Sequence, residues 1–141
     1  MKLVHPEGSA EADWKERHMS RFVLIVDDDP NLLEVTRFVI ESEGMVVETA
    51  RNGQEALAFL RAHRLPGLVL LDLMMPVMSG WEFLDEVAKD PLLKAIPVVA
   101  LTAVERAQVP GVVGILRKPM DLGALIRIVE RYLRRDGDAG A

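Results

Sequence analysis

Asp27, Asp28, Asp72, Thr102 and Lys118 stand at the ends of four apolar runs of strand length. The runs are Phe22–Val26, Leu68–Leu71, Val98–Leu101 and Val112–Leu116. In an open parallel sheet, ligands bind beyond the carboxyl ends of the strands, where the strand order reverses. One pocket there would collect three carboxylates, a hydroxyl and an ammonium. Two unit charges ~4 Å apart interact by about 4 kcal/mol at an effective dielectric near 20. Three carboxylates at that range would keep one proton unless a cation intervened. Mg²⁺ prefers oxygen ligands, keeps several waters and bridges phosphate oxygens. A carboxylate can serve as a covalent acceptor of phosphorus, and phosphoryl transfer asks mainly for positioning and charge stabilisation. The set therefore suits a divalent cation and a phosphoryl group.

The elements that must position these groups alternate strand and helix from Arg21 onward. After Phe22–Val26, Asp29 offers an N-cap and Pro30 sits at N1, where its missing N–H costs nothing. Leu32, Val35, Val39 and Ile40 follow at helical spacing, and Gly44 ends the helix. Met45–Thr49 reads as the second strand. Asn52 caps a helix carrying Ala56, Leu57, Phe59 and Leu60, and Pro66-Gly67 breaks the chain before the third strand. Ser79 caps a helix with Trp81, Phe83, Leu84 and Val87. The last helix starts near Asp121 and runs through Leu122, Leu125, Ile126 and Val129 to about Leu133. Such alternation implies a parallel sheet covered on both faces. The expected fold is a doubly wound (βα)5, flavodoxin-like, with strand order 2-1-3-4-5. That order seats strands 1 and 3 side by side, bringing Asp27 and Asp28 next to Asp72.

One interval breaks the pattern. Thr102 to Gly111 is only ten residues, and a complete crossover with its helix takes about 10–12 or more. Pro110-Gly111 closes it and cannot be helix interior. The fourth crossover helix is expected to be shortened or missing.

Composition bounds the function. The chain has 141 residues, half of them hydrophobic, a net charge of −5 and no cysteine. One domain with a real core fits these numbers. The acidic balance does not suggest a nucleic-acid partner. Disulfides and thiolate metal sites are excluded. No apolar stretch approaches the ~20 residues of a membrane span, and no signal peptide is visible, which fits the cytoplasm. Residues 1–20 read as a flexible extension, 21–134 as the domain and 135–141 as a flexible tail. His5, His18 and His63 are scattered and take no role. Met74, Met75 and Met78 read as packing, since a carboxylate pocket is a hard site.

Four segments in order carry a resemblance. They are Val26-Asp27-Asp28-Asp29, then Leu71-Asp72-Leu73-Met74-Met75-Pro76 with Met78-Ser79-Gly80, then Leu101-Thr102-Ala103, then Lys118-Pro119. Together they resemble the receiver domain of bacterial response regulators, over about Arg21 to Leu133. The resemblance implies that Asp72 is the phosphoacceptor. It implies Mg²⁺ bound directly by Asp28 and Asp72, with the Met74 backbone carbonyl, and by Asp27 partly through water. Thr102 would turn its hydroxyl toward the phosphoryl group, Lys118 would pair with it, and Lys118-Pro119 would be a cis peptide. The implied role is a stand-alone signalling domain, not an enzyme, although it assists its own phosphorylation and dephosphorylation. Its partners would be a histidine kinase or phosphotransfer protein and a downstream protein.

The chain also departs from that family. Relatives carry Tyr or Phe three residues before the lysine, where this chain has Ile115. With the fourth helix reduced as well, signalling by another face is expected. A non-phosphorylated interaction module of the same fold is the alternative. Met74 and Val104 follow Asp72 and Thr102 by two residues, where relatives often place polar groups, so slow self-dephosphorylation is expected.

Overall fold

The computed structural model describes residues 21–62, 64–104 and 107–134. The expected extensions at 1–20 and 135–141 lie outside the described residues. Five strands form one parallel sheet: β1 (Phe22–Val26), β2 (Val46–Ala50), β3 (Leu68–Asp72), β4 (Val98–Thr102) and β5 (Gly114–Arg117). Their order is β2-β1-β3-β4-β5, with every neighbouring pair parallel. The helices are α1 (Pro30–Glu41), α2 (Gly53–Ala62), α3 (Gly80–Ala88) and α4 (Leu122–Leu133), plus a 3₁₀ turn at Leu93–Ala95.

Side-chain alternation along the central strands builds two cores. Leu24 and Val26, Val69 and Leu71, Val98 and Ala100 face α2 and α3, meeting Leu57, Leu60, Phe83 and Val87. Val23 and Ile25, Leu68 and Leu70, Val99 and Leu101 face α1 and α4, meeting Leu33, Ile40, Leu125 and Val129. All of β1, β3 and β4 is buried, as a sheet covered on both faces requires. Each such Leu, Ile or Val contributes about 1.5–3 kcal/mol relative to an exposed position. The sheet is thus a rigid platform, and the groups at its carboxyl ends inherit that rigidity.

Caps set the helix starts. Asp29 Oδ1 accepts from the N–H groups of Asn31 and Leu32, and Asp121 Oδ1 from those of Gly123 and Ala124. Ser79 and Glu82 form a reciprocal capping box. Asn52 Oδ1 accepts from Glu55 N–H at 2.8 Å.

Three details differ from the sequence reading. In α1 the buried stripe is Leu33, Thr36 and Ile40, while Val35 is exposed. Two apolar stripes share helical spacing here, and periodicity alone does not say which one faces the sheet. β5 begins at Gly114, later than Val112, because the Pro110-Gly111 turn delays the chain's entry into register; Gly111 takes φ 87°. β2 runs Val46–Ala50, one residue later than the expected Met45–Thr49.

Among the described residues there is no fourth crossover helix between β4 and β5. Among the described residues between Thr102 and Gly114 there are only bends, turns and extended chain. Ala107, Val109 and Val112 pack on the core in its stead. The indole of Trp81 in α3 donates from Nε1 to the Gln108 carbonyl at 2.9 Å, fastening this segment to the domain.

Candidate functional site

β1 and β3 are neighbours, so the sheet brings the chain after Val26 against the end of β3. Asp72 is the last residue of β3 and Thr102 the last of β4. Ligand oxygens of Asp27, Asp28 and Asp72 lie within 4.8 Å of one another. Asp27 and Asp72 are buried, while Asp28 is exposed at the open side. The parallel pairing of β4 with β5 brings Lys118 into the same crevice, its backbone N–H donating to the Thr102 carbonyl at 2.9 Å. Its Nζ lies 3.4 Å from Asp27 Oδ2 and 3.3 Å from Asp72 Oδ1. The Lys118-Pro119 peptide is cis. Asp27, Asp28, Asp72 and Lys118 are thus together, and Thr102 ends the strand beside Asp72.

Backbone donors hold the acids. Asp29 N–H donates to Asp27 Oδ1 at 3.0 Å, and Met74 N–H to Asp72 Oδ1 at 3.3 Å. Oδ2 of Asp72 accepts from no described residue, so one oxygen of the buried carboxylate stays open. Burial, and then the Asp27 carboxylate, push Asp72 up from 3.8 to about 6, against the pull of Lys118 and the Met74 N–H. The hydroxyl of Thr102, itself buried, accepts from Val104 N–H at 2.9 Å. That bond uses a lone pair and leaves the hydroxyl proton free to donate.

The loop after β3 is shaped by close approaches that sequence reasoning missed. A Cβ on Gly80 would come within 2.7 Å of the Asp72 carbonyl oxygen and of Leu73 Cα. Gly80 therefore lets α3 start against the end of β3, and its N–H donates to the Leu73 carbonyl at 2.9 Å. Gly53 makes room for Met78 in the same way and donates to its carbonyl at 3.3 Å. Val77 takes φ 72° while Met78 N–H closes on the Pro76 carbonyl at 2.8 Å. That is a γ-turn of the strained hand, and a β-branched residue at positive φ is a genuine outlier. No feature of the sequence marks Val77, since Gly or Asn is the usual residue at positive φ.

Three acidic oxygen donors, one exposed and two buried, match the hard-ligand chemistry of Mg²⁺. A lysine on the buried pair gives a matching positive pole for an anion. An acidic cluster with a lysine beside it, at the carboxyl end of a doubly wound parallel sheet, is what these features define.

A family model described as the response regulator receiver domain matches residues 23–130. The chain belongs to that family, the receiving domain of two-component signalling. A 14.6 kDa protein from the sodA1 3′ region of Leptolyngbya boryana is 40% identical over 116 residues, covering 78% of this chain and 88% of that protein. The polar-differentiation response regulator DivK of Brucella anthropi is 35% identical over 127 residues, covering 86% of this chain and all of DivK. Among solved structures, the response regulator TrrA of Thermotoga maritima, in complex with Mg²⁺–BeF, superposes with a TM-score of 0.71 at 30% identity, over 80% of this chain and 99% of TrrA. Among the described residues, no helix is long and apolar enough to cross a membrane.

Proposed function

We propose that Asp72 accepts a phosphoryl group from the histidine of a histidine kinase or phosphotransfer protein, and that the modified domain signals by binding a downstream protein in the cytoplasm. The observation that carries this is the Lys118 ammonium set on both buried acids, Asp27 and Asp72, within the three-carboxylate cluster. Asp28, Asp72 and the Met74 backbone carbonyl would hold Mg²⁺, with Asp27 acting partly through water. Bound there, the metal offsets the charge of the carboxylates and of the phosphoryl oxygens. The open oxygen of Asp72 is the attacking atom. Its bond to phosphorus forms as the donor's phosphorus–nitrogen bond breaks, and the donor imidazole keeps the electron pair. Lys118 then pairs with the new anion, and Thr102 supplies its hydroxyl proton as a hydrogen bond. The same groups assist water in removing the phosphoryl group later.

The second reading, an interaction module that is never phosphorylated, draws on Ile115 and the missing helix. Both features lie on the output side, whereas the acids and Lys118 are all present. Incubation with acetyl phosphate and Mg²⁺, followed by intact-protein mass measurement, separates the two. The expected result is a gain of one phosphoryl mass in the wild type and none in Asp72→Asn. A wild type that gains nothing, or a variant that gains as much, would overturn the assignment.

A further inference from the structure

We propose that the cavity between α1 and the chain that follows β4 and β5 is a binding site for a small neutral molecule, one with an apolar body and a single hydroxyl group. The cavity has a volume of about 550 Å³, which is within the range of small-molecule sites. Leu32 and Val35 of α1 form one wall, and Ala103, Pro119, Met120 and Leu122 form the other. Thr36 and Lys118 are the polar members of the described lining. Val35 and Leu122 are 51% and 44% exposed, so the cavity is open to solvent along its rim.

Thr36 separates this cavity from an ordinary surface cleft. It is 2% exposed, and its hydroxyl makes no hydrogen bond among the described residues. The same helix shows the usual local solution at Ser42, whose hydroxyl donates to the Val39 carbonyl at 2.7 Å. A buried hydroxyl without a partner costs free energy, and most such groups in native proteins have one. A ligand hydroxyl can both accept from Thr36 and donate to it, while the ligand's body covers the apolar walls. Charge selects the rest. Thr36 is neutral, so a charged head placed against it would be desolvated without a counter-ion. Lys118 lines the cavity, but its Nζ is held 3.4 Å from Asp27 Oδ2 and 3.3 Å from Asp72 Oδ1. With Asp28 beside them, these acids outnumber the lysine, and an anionic head at this wall meets net negative charge.

The test uses the full chain with isotope-labelled methionine methyl groups, titrated at neutral pH with 2-naphthol, naphthalene and 2-naphthoate. Met120 lines the cavity, and its methyl resonance reports occupancy. 2-Naphthol should shift the Met120 signal to saturation. It should bind about fivefold tighter than naphthalene, the scale of one hydrogen bond, and tighter than the anion 2-naphthoate. Thr36→Val keeps the shape of the side chain and should remove the preference for 2-naphthol over naphthalene. The same variant should raise Tm, because it removes a buried hydroxyl that has no partner. Val35→Glu, at an exposed position, should weaken 2-naphthol and naphthalene alike. A Met120 signal that never saturates, a preference for 2-naphthol that is absent or survives Thr36→Val, tighter binding of 2-naphthoate, indifference to Val35→Glu, or a lowered Tm in Thr36→Val would each overturn the proposal. None of these readouts involves phosphoryl transfer, so they decide the cavity separately from the phosphoacceptor reading.

Discussion

Replacing Asp72 by Asn should stabilise the metal-free protein, and only on the alkaline side. The unfolded chain releases the Asp72 proton near 3.8, whereas the folded protein holds it to about 6. Between those values the native state binds more protons than the unfolded one, so stability falls as pH rises through this window. The whole penalty is in place above about pH 6 and absent below 3.8. A rise of this size corresponds to at most about 3 kcal/mol, and solvent at the Asp28 side of the crevice will screen part of it. Asn keeps the shape of the side chain and removes the charge. Urea unfolding in EDTA should therefore show Asp72→Asn more stable than wild type by about 1–3 kcal/mol near pH 8, with the difference vanishing near pH 3.5. Other carboxylates titrate in both proteins and cancel in the difference. Saturating Mg²⁺ should reverse the order, since a ligand at 100 times its Kd adds about 2.7 kcal/mol to the protein that binds it. A gain independent of pH, or a loss near pH 8 without metal, would show that burial and Asp27 do not dominate the charge state of Asp72.

Other perturbations probe the loops. Val77→Asn should raise stability by about 1 kcal/mol, because Asn tolerates positive φ and Val does not; thermal unfolding would read it. Gly80→Ala places a methyl group against the end of β3 and should cost about 1–3 kcal/mol, together with slower phosphorylation by acetyl phosphate as Asp72 is displaced. Met74 and Val104 are exposed beside the acidic crevice and offer no polar atom to orient a hydrolytic water. The double variant Met74→Asn with Val104→Glu should shorten the half-life of the phosphoprotein, and a half-life unchanged or lengthened would defeat that reasoning.

The fold was legible because each strand end coincides with a change from apolar to polar residues, and each helix start with an acceptor side chain at the N-cap. Pro110-Gly111 and a short interval were enough to remove a helix. The same signals say little about facing. Leu32 and Val35 read as core in α1, yet Leu33 and Thr36 are the buried positions, because docking angle and not period selects between two apolar stripes. Asp27, Asp28, Asp72 and Lys118 were legible as a group because topology alone converges the ends of β1, β3 and β5. The γ-turn at Val77, the tight passages at Gly53 and Gly80, and the Trp81–Gln108 bond were not, since each depends on two segments whose approach distance no local pattern encodes.

Charge accounting links the stability of this site to its chemistry. Three carboxylates and one ammonium leave two uncompensated negative charges when all are ionised, and a proton retained by Asp72 is the native protein's partial remedy. A divalent cation is the full remedy, and it removes the reason for holding the proton. On the proposed reading the same step would free Asp72 to attack phosphorus, and the repulsion relieved on binding would add to the affinity for the metal. On the phosphoacceptor reading proposed above, an acyl phosphate at Asp72 would carry the negative charge outward onto phosphoryl oxygens, toward Lys118 and Thr102.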